Sequence, residues 1–169
     1  MFEIKVLDES NSRDFINLSN SVYAFLDNKE WYIPMSDENM HGALGNKLFT
    51  VVGAFKDGVL AGVSLIDRTP EEFCDLKKAA NVTEGKKGAE LGACMVLPKY
   101  RGNNLMHIMN TELVRLAKEN GIDYLVASAH PDNIASNTSL KKLGFLHKAV
   151  ITRAGHYIRN AYYMEIKKG

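Results

Sequence analysis

The segment Val96-Leu97-Pro98-Lys99-Tyr100-Arg101-Gly102-Asn103-Asn104-Leu105-Met106 has the residue types to hold an anion. It follows an apolar run over 89–96 that reads as a strand. It opens a helix whose apolar positions Leu105, Met109, Leu113, Leu116 and Ala117 recur at helical spacing. A short turn carrying Arg101, Gly102, Asn103 and Asn104 leaves several backbone N–H groups aimed at one point, at the positive end of a helix dipole. Such a point takes a phosphate or pyrophosphate. The other reading is an ordinary strand-to-helix connection capped by Asn103.

The elements that must position this turn follow from the whole chain. Its 169 residues, 46% hydrophobic and 24% charged, match one globular domain with a full core, so a single domain over 1–169 is expected. A formal net charge of +1 gives no field favouring nucleic acid or an anionic membrane, and no run is long enough to cross a bilayer. The opening MFEIKVLDES lacks a basic stretch followed by an apolar one, so no signal peptide is expected. Cys74 and Cys94 are too few for a disulfide framework, and the histidines have no HxxxH or HxH spacing. No metal site is expected, and the expected compartment is a reducing cytoplasm.

Residues 2–7 alternate like an edge strand through Phe2, Ile4 and Val6, and residues 11–25 carry Phe15, Leu18, Val22 and Phe25 at helical spacing. Ser36-Asp37-Glu38 can cap a short second helix. Apolar runs over 48–55 and 59–66 flank Lys56-Asp57-Gly58, a strong hairpin signal. Residues 69–88 are polar and Lys-rich, a long connection with a helix over 71–80. The strand 89–96 leads to a helix from about 103 to 120 and a strand over 124–129. Pro131-Asp132-Asn133 opens a last helix that ends at Leu143-Gly144, with Gly144 just past its end. An antiparallel pair over 145–153 and 157–166 closes the chain.

Strand, helix, strand with short joints makes a parallel pair with a right-handed crossover. The expected fold class is therefore α/β (α+β), a mixed sheet with a central parallel strand pair flanked by helices. Ligands of such sheets sit beyond the carboxyl ends of the parallel strands, here Val96 and Ala129-His130. The anion turn lies at one of them.

This order of elements resembles the GNAT superfamily of acetyl-CoA-dependent N-acetyltransferases. Val96-Leu97-Pro98-Lys99-Tyr100-Arg101-Gly102 is similar to the family's cofactor signature, a strand ending in Val-x-Pro, then an aromatic, then Arg/Gln-x-x-Gly-x-Gly/Ala. Asn133 through Leu143-Gly144-Phe145 is similar to its second marker, an Asn-opened helix closed by Leu-Gly-Phe. The resemblance covers essentially the whole chain and implies acetyl-CoA as co-substrate. It implies that backbone N–H groups near Met95 and Val96 hold the pantetheine arm and polarise the thioester carbonyl. It gives Arg101 and the N–H groups of Gly102, Asn103, Asn104, Leu105 and Met106 to the pyrophosphate, and Asn133 to the cofactor from the second strand's side. A plain N-cap is the other reading of Asn133. The two small positions of the family turn fall on Asn104, a residue that tolerates positive φ, and on Met106. Leu140 stands where many relatives carry a tyrosine that protonates the departing thiolate.

Glu90 is the general base that the resemblance implies. Ala89-Glu90-Leu91 is similar to an Ala-Glu-Ile of the histone acetyltransferase branch, where the glutamate is the base. Such a base needs a raised carboxyl pKa or a water relay. A solvated glutamate at a strand start is the other reading. Tyr157, Tyr162 and Tyr163 are candidates for the missing acid, Tyr157 foremost; packing is their other role. Cys94, four residues after Glu90, is expected on the same face and as a small buried hydrophobe. His130 is expected to be structural. Trp31-Tyr32 with Asp37 and Glu38 fall where the family builds part of its acceptor site, or else cover the core and charge a helix start.

The expected function is transfer of an acetyl group from acetyl-CoA to a primary amine of a small molecule, amino-acid derivative or peptide. A non-catalytic acyl-CoA-binding sensor on the same fold is the alternative. Neither nucleic acid nor membrane is an expected partner. An exposed terminal strand would invite pairing into a homodimer.

Overall fold

In the computed structural model of the chain, which describes residues 1–167, the alternating apolar stretches pair into one sheet. Among these residues seven strands run in the order β1 (Glu3–Val6), β2 (Phe49–Lys56), β3 (Val59–Asp67), β4 (Gly88–Val96), β5 (Tyr124–Ala129), β7 (Tyr157–Glu165) and β6 (Leu146–Arg153). Only β4 and β5 run parallel; the other neighbours are antiparallel. Asp57 and Gly58 close the β2–β3 hairpin with φ of +51° and +78°, the left-handed pair that a tight hairpin turn requires.

One face of the sheet carries α1 (Ser12–Ala24) and α2 (Asp37–Gly45), which bury Phe15, Leu18, Val22 and Met40 against Val51, Val63 and Leu65. Ser36 caps α2, its hydroxyl accepting from the Asn39 N–H at 3.1 Å. The short α3 (Cys74–Ala79) sets Leu76 against Tyr124, Val126 and Ala161. It is shorter than the expected 71–80, because residues 70–73 form a turn before it.

The opposite face carries α4 (Leu105–Glu119) and α5 (Ile134–Leu143). Leu105, Met109 and Leu113 fall on one side of α4 by helical spacing and are 2% exposed or less. Burying each contributes about 1.5–3 kcal/mol. α5 ends at Gly144, whose φ of +101° suits glycine and turns the chain into β6. Among the described residues no helix is long and apolar enough to cross a membrane.

Candidate active site

An extra residue in β4 shapes the site. β3 and β4 pair at Asp67↔Glu90 and Leu65↔Gly92, then resume at Val63↔Met95, so Ser64 faces both Ala93 and Cys94. This is a β-bulge. Ala93 takes φ +47°, a left-handed conformation that costs an L-residue about 1–2 kcal/mol. Ser64 Oγ donates to Asn110 Oδ1 at 2.7 Å, tying the bulged region to α4 through a buried polar pair.

Side chains alternate along a strand, so one extra residue inverts the facing of all that follow. Met95 joins Val63 and Leu65 on the α1–α2 face, the face of Glu90, while Cys94 packs with the α4 cluster. The expectation that Cys94 shares a face with Glu90 fails for this reason. The Cys94 thiol stays protonated, because burial pushes its pKa up to about 12 against the lowering effect of Ser64.

The parallel strands also part here. β4 and β5 pair only from Gly88↔Tyr124 to Leu91↔Ala127, and the rest of β4 diverges from β5. A cleft of about 950 Å³ opens between them, bordered on the β4 side by residues 90–95. The Leu97 N–H donates to the Ala61 carbonyl at 2.9 Å, on the β3 side. Strand alternation therefore turns the Val96 N–H the opposite way, to the open edge, and the Met95 N–H toward its register partner Val63.

Beyond Val96 one 3-10 turn, Pro98–Tyr100, leads to Arg101 and then to two left-handed residues, Gly102 at φ +81° and Asn104 at φ +60°. Glycine and asparagine take this conformation at least cost. α4 begins at Leu105 with Asn104 as its N-cap, two residues later than the sequence suggests. Asn103 is not the cap: its side-chain amide donates to the Tyr100 carbonyl at 2.9 Å and braces the turn. The Asn104 side chain makes no capping bond, so the first N–H groups of α4 are left for an outside acceptor. That is what a phosphate at a helix N-terminus needs. Leu105 is buried and can offer only its backbone N–H, while Met106 borders the cleft. Arg101 is exposed, with Nε donating to the Val96 carbonyl at 3.4 Å. These residues fit a pyrophosphate.

Glu90 borders the cleft with its side chain 15% exposed. Arg153, at the end of β6, grips it with two bonds: Nη1 to Oε1 at 2.6 Å and Nη2 to Oε2 at 3.2 Å. The same guanidinium donates to Asp75 Oδ2 at 2.8 Å, the Glu72 carbonyl at 2.8 Å and Ser128 Oγ at 3.2 Å. Burial pushes the Glu90 carboxyl above the usual carboxylate range; Arg153 opposes this, while Asp75 and Asp67 add to it. For Arg153, burial works downward, but Glu90 and Asp75 outweigh it and hold the guanidinium charged. Each Glu90 oxygen gives Arg153 one lone pair and keeps another for a second donor. Sequence reasoning missed this partner, which lies 63 residues from Glu90. The available signal was an arginine closing a strand just before the Ala154-Gly155 turn.

The acetyltransferase (GNAT) family pattern matches residues 11–145. The chain belongs to the GNAT family. No protein of curated function matches it in sequence. Among solved structures it is similar in fold to an N-acetyltransferase from Staphylococcus aureus Mu50, at 17% identity and a TM-score of 0.74 over 98% of each chain. It is similar to the ribosomal-protein-S18-alanine N-acetyltransferase of Escherichia coli at 14% identity and a TM-score of 0.72, over 99% of this chain and 95% of that one. FeeM, an N-acyl amino acid synthase from uncultured soil microbes, matches at 21% identity and a TM-score of 0.74, over 98% and 91%.

The GNAT match stops at residue 145, so the β6–β7 hairpin with Arg153 lies beyond it. Within the match, Asn133 caps α5, its side chain accepting from the Ser136 N–H at 3.2 Å, and it also borders the cleft. Buried Asn137, which sequence reasoning passed over, donates to the His130 and Asn133 carbonyls at 2.9 and 2.7 Å and accepts from Tyr162 Oη at 2.6 Å. It locks the end of β5 to α5 and β7. His130 Nδ1 accepts from the Asp132 N–H at 3.1 Å, a bond within its own turn. Leu140 is buried on the cleft wall.

The three tyrosines of the hairpin side face elsewhere. Tyr157 packs on His156, with ring centroids 4.1 Å apart, Tyr162 is tied to Asn137, and Tyr163 stacks on Tyr124. None of them borders the cleft. Trp31, Tyr32 and Glu38 do, and Tyr32 Oη lies 3.2 Å from Ser19 Oγ. Among the described residues no three His, Cys, Asp or Glu side chains gather to hold a metal ion.

Proposed function

We propose that the protein is an N-acetyltransferase that moves an acetyl group from acetyl-CoA to a primary amine by direct attack in a ternary complex, in a reducing cytoplasm. The observation that carries this reading is the Val96 N–H on the open edge of β4, one short turn before the uncapped start of α4. Together they offer one donor for a thioester carbonyl and several for a pyrophosphate. Arg101 adds charge-assisted bonds to the phosphates. Asn133 closes the site from the β5 side.

In this reading the amine nitrogen attacks the thioester carbon, the carbon–sulfur bond breaks and the sulfur leaves as thiolate. Glu90 takes the amine proton on a lone pair that Arg153 does not use, directly or through one water. Burial gives its carboxyl the added basicity. The leaving thiol has an ordinary pKa of about 8.5, so it departs as an anion and takes its proton from water. A side-chain acid at Leu140 is not required.

Thermal melting with acetyl-CoA, followed by a panel of primary amines with free-thiol detection, tests the reading. A stabilising shift and amine-dependent thiol release are expected. No shift up to millimolar acetyl-CoA would overturn it. A shift with no amine turned over would point to an acyl-CoA-binding module instead.

A further inference from the structure

Arg159 is a buried cation without a carboxylate of its own. It is 3% exposed, is the third residue of β7 after the hairpin turn, and borders the cleft. Its Nη1 donates to the Ile158 carbonyl at 2.8 Å, and its guanidinium carbon lies 5.4 Å from the Tyr157 ring centre. Among the described residues no carboxylate forms an ion pair with it; Glu90 and Asp75 are taken by Arg153, and Glu30 sits 3.6 Å from His156. A guanidinium has five N–H donors, and burying it unpaired is costly. Trp31, next to Glu30, borders the same cleft, and its buried indole N–H has no partner. Glu30 meets His156 at the hairpin tip, so the Trp31 segment and the hairpin close one end of the cleft together. That end lies on the α1–α2 face, the face of Glu90, and apart from the anion turn at the start of α4.

We propose that Arg159 anchors a carboxylate on the acceptor, so that the amine to be acetylated belongs to an amino-acid-like molecule. This rests on the acetyltransfer reading for the amine and adds the group that selects it. A carboxylate matches the planar fork of the guanidinium and neutralises one charge with one charge. A phosphate dianion would bring excess charge beside Glu38, Asp67 and Glu71, which also border the cleft. The hairpin that carries Arg159 lies outside the stretch shared with the family pattern, where a selecting residue of this chain can differ from its relatives.

The test compares free amino acids with their own amides, their decarboxylated amines and aminoalkyl phosphonates, as kcat/KM corrected for the unprotonated amine. Binding of the same compounds in the presence of coenzyme A is measured by calorimetry. The amino acids are expected to lead the analogues that lack the carboxylate by tenfold or more. The ratio should fall toward one in Arg159→Met and stay intermediate in Arg159→Lys, which keeps charge without the fork. Trp31→Phe, which removes only the N–H, should reduce it more mildly, and an acetyl-CoA melting shift in each variant establishes that it folds. Equal rates for amines with and without the carboxylate, or a preference that survives Arg159→Met, would overturn the anchor and leave acetyl transfer standing. A preference for phosphonates would overturn the choice of carboxylate. Arg159-dependent binding of amino acids with no acetyl transfer would support the anchor and overturn the reaction. Neither binding nor transfer would overturn both.

Discussion

Arg153 holds both oxygens of Glu90, at 2.6 and 3.2 Å, so the carboxylate proposed to take a proton is gripped at both oxygens by a cation. Burial raises its proton affinity and the guanidinium lowers it. The site's basicity is the balance of the two.

Glu90→Gln keeps the shape and removes the proposed base. Turnover is expected to fall by roughly a hundred- to ten-thousand-fold, with little change in acetyl-CoA affinity. In the wild type kcat/KM should rise with pH through the raised carboxyl pKa; in the variant this limb should vanish. A rate and profile like the wild type's would return Glu90 to a structural role.

The same raised pKa has a stability consequence. The folded chain holds the Glu90 proton more tightly than the unfolded chain does, so stability falls as pH climbs from the ordinary carboxylate range through the raised value. Denaturant melts across that window should show a shallower decline for Glu90→Gln.

Arg153→Met leaves Glu90 and Asp75 without their cation. Their side chains are 15% and 39% exposed, so the uncompensated cost falls mainly on Glu90. A loss of about 3 kcal/mol is expected in urea unfolding. In whatever fraction stays folded, the acid limb of kcat/KM should move to higher pH.

Arg101→Ala should weaken coenzyme A far more than pantetheine lacking phosphates, if its charge serves phosphate oxygens as proposed. Calorimetry with both ligands separates this from an equal loss, which would mean that Arg101 only holds the strand end through Val96.

Ala93→Gly should stabilise the fold by about 0.5–1 kcal/mol, the relieved left-handed strain being partly offset by a freer unfolded chain. Ala93→Val should destabilise it. Guanidinium melts measure both.

Much of the framework was legible because it rests on local signals. Asp57-Gly58, Gly144 and the helical spacing of Leu105, Met109 and Leu113 each decide a structure within a few residues. The anion turn was legible for the same reason, down to the left-handed Asn104. The bulge was not, since the left-handed residue there is Ala93 and no glycine or asparagine advertises it. Nor was the partner of Glu90, because strand pairing and α3 packing bring Arg153 to it. Sequence spacing missed the N-cap by one residue, because Asn103 has a better acceptor in the Tyr100 carbonyl than in the helix.

The one-residue bulge in β4 also makes the chain unequally tolerant of changes in length. An exposed turn such as the one over 83–86 can gain residues at modest cost. Losing a single codon at Ala93 would straighten the β3–β4 ladder and leave Met95 opposite Val63, on the side it already fills. What would go is the irregularity at which β4 parts from β5, so the amide now open to the cleft would be spent inside the sheet. A shorter, more regular strand would shed the strain at Ala93 and close the opening that the proposed reaction needs.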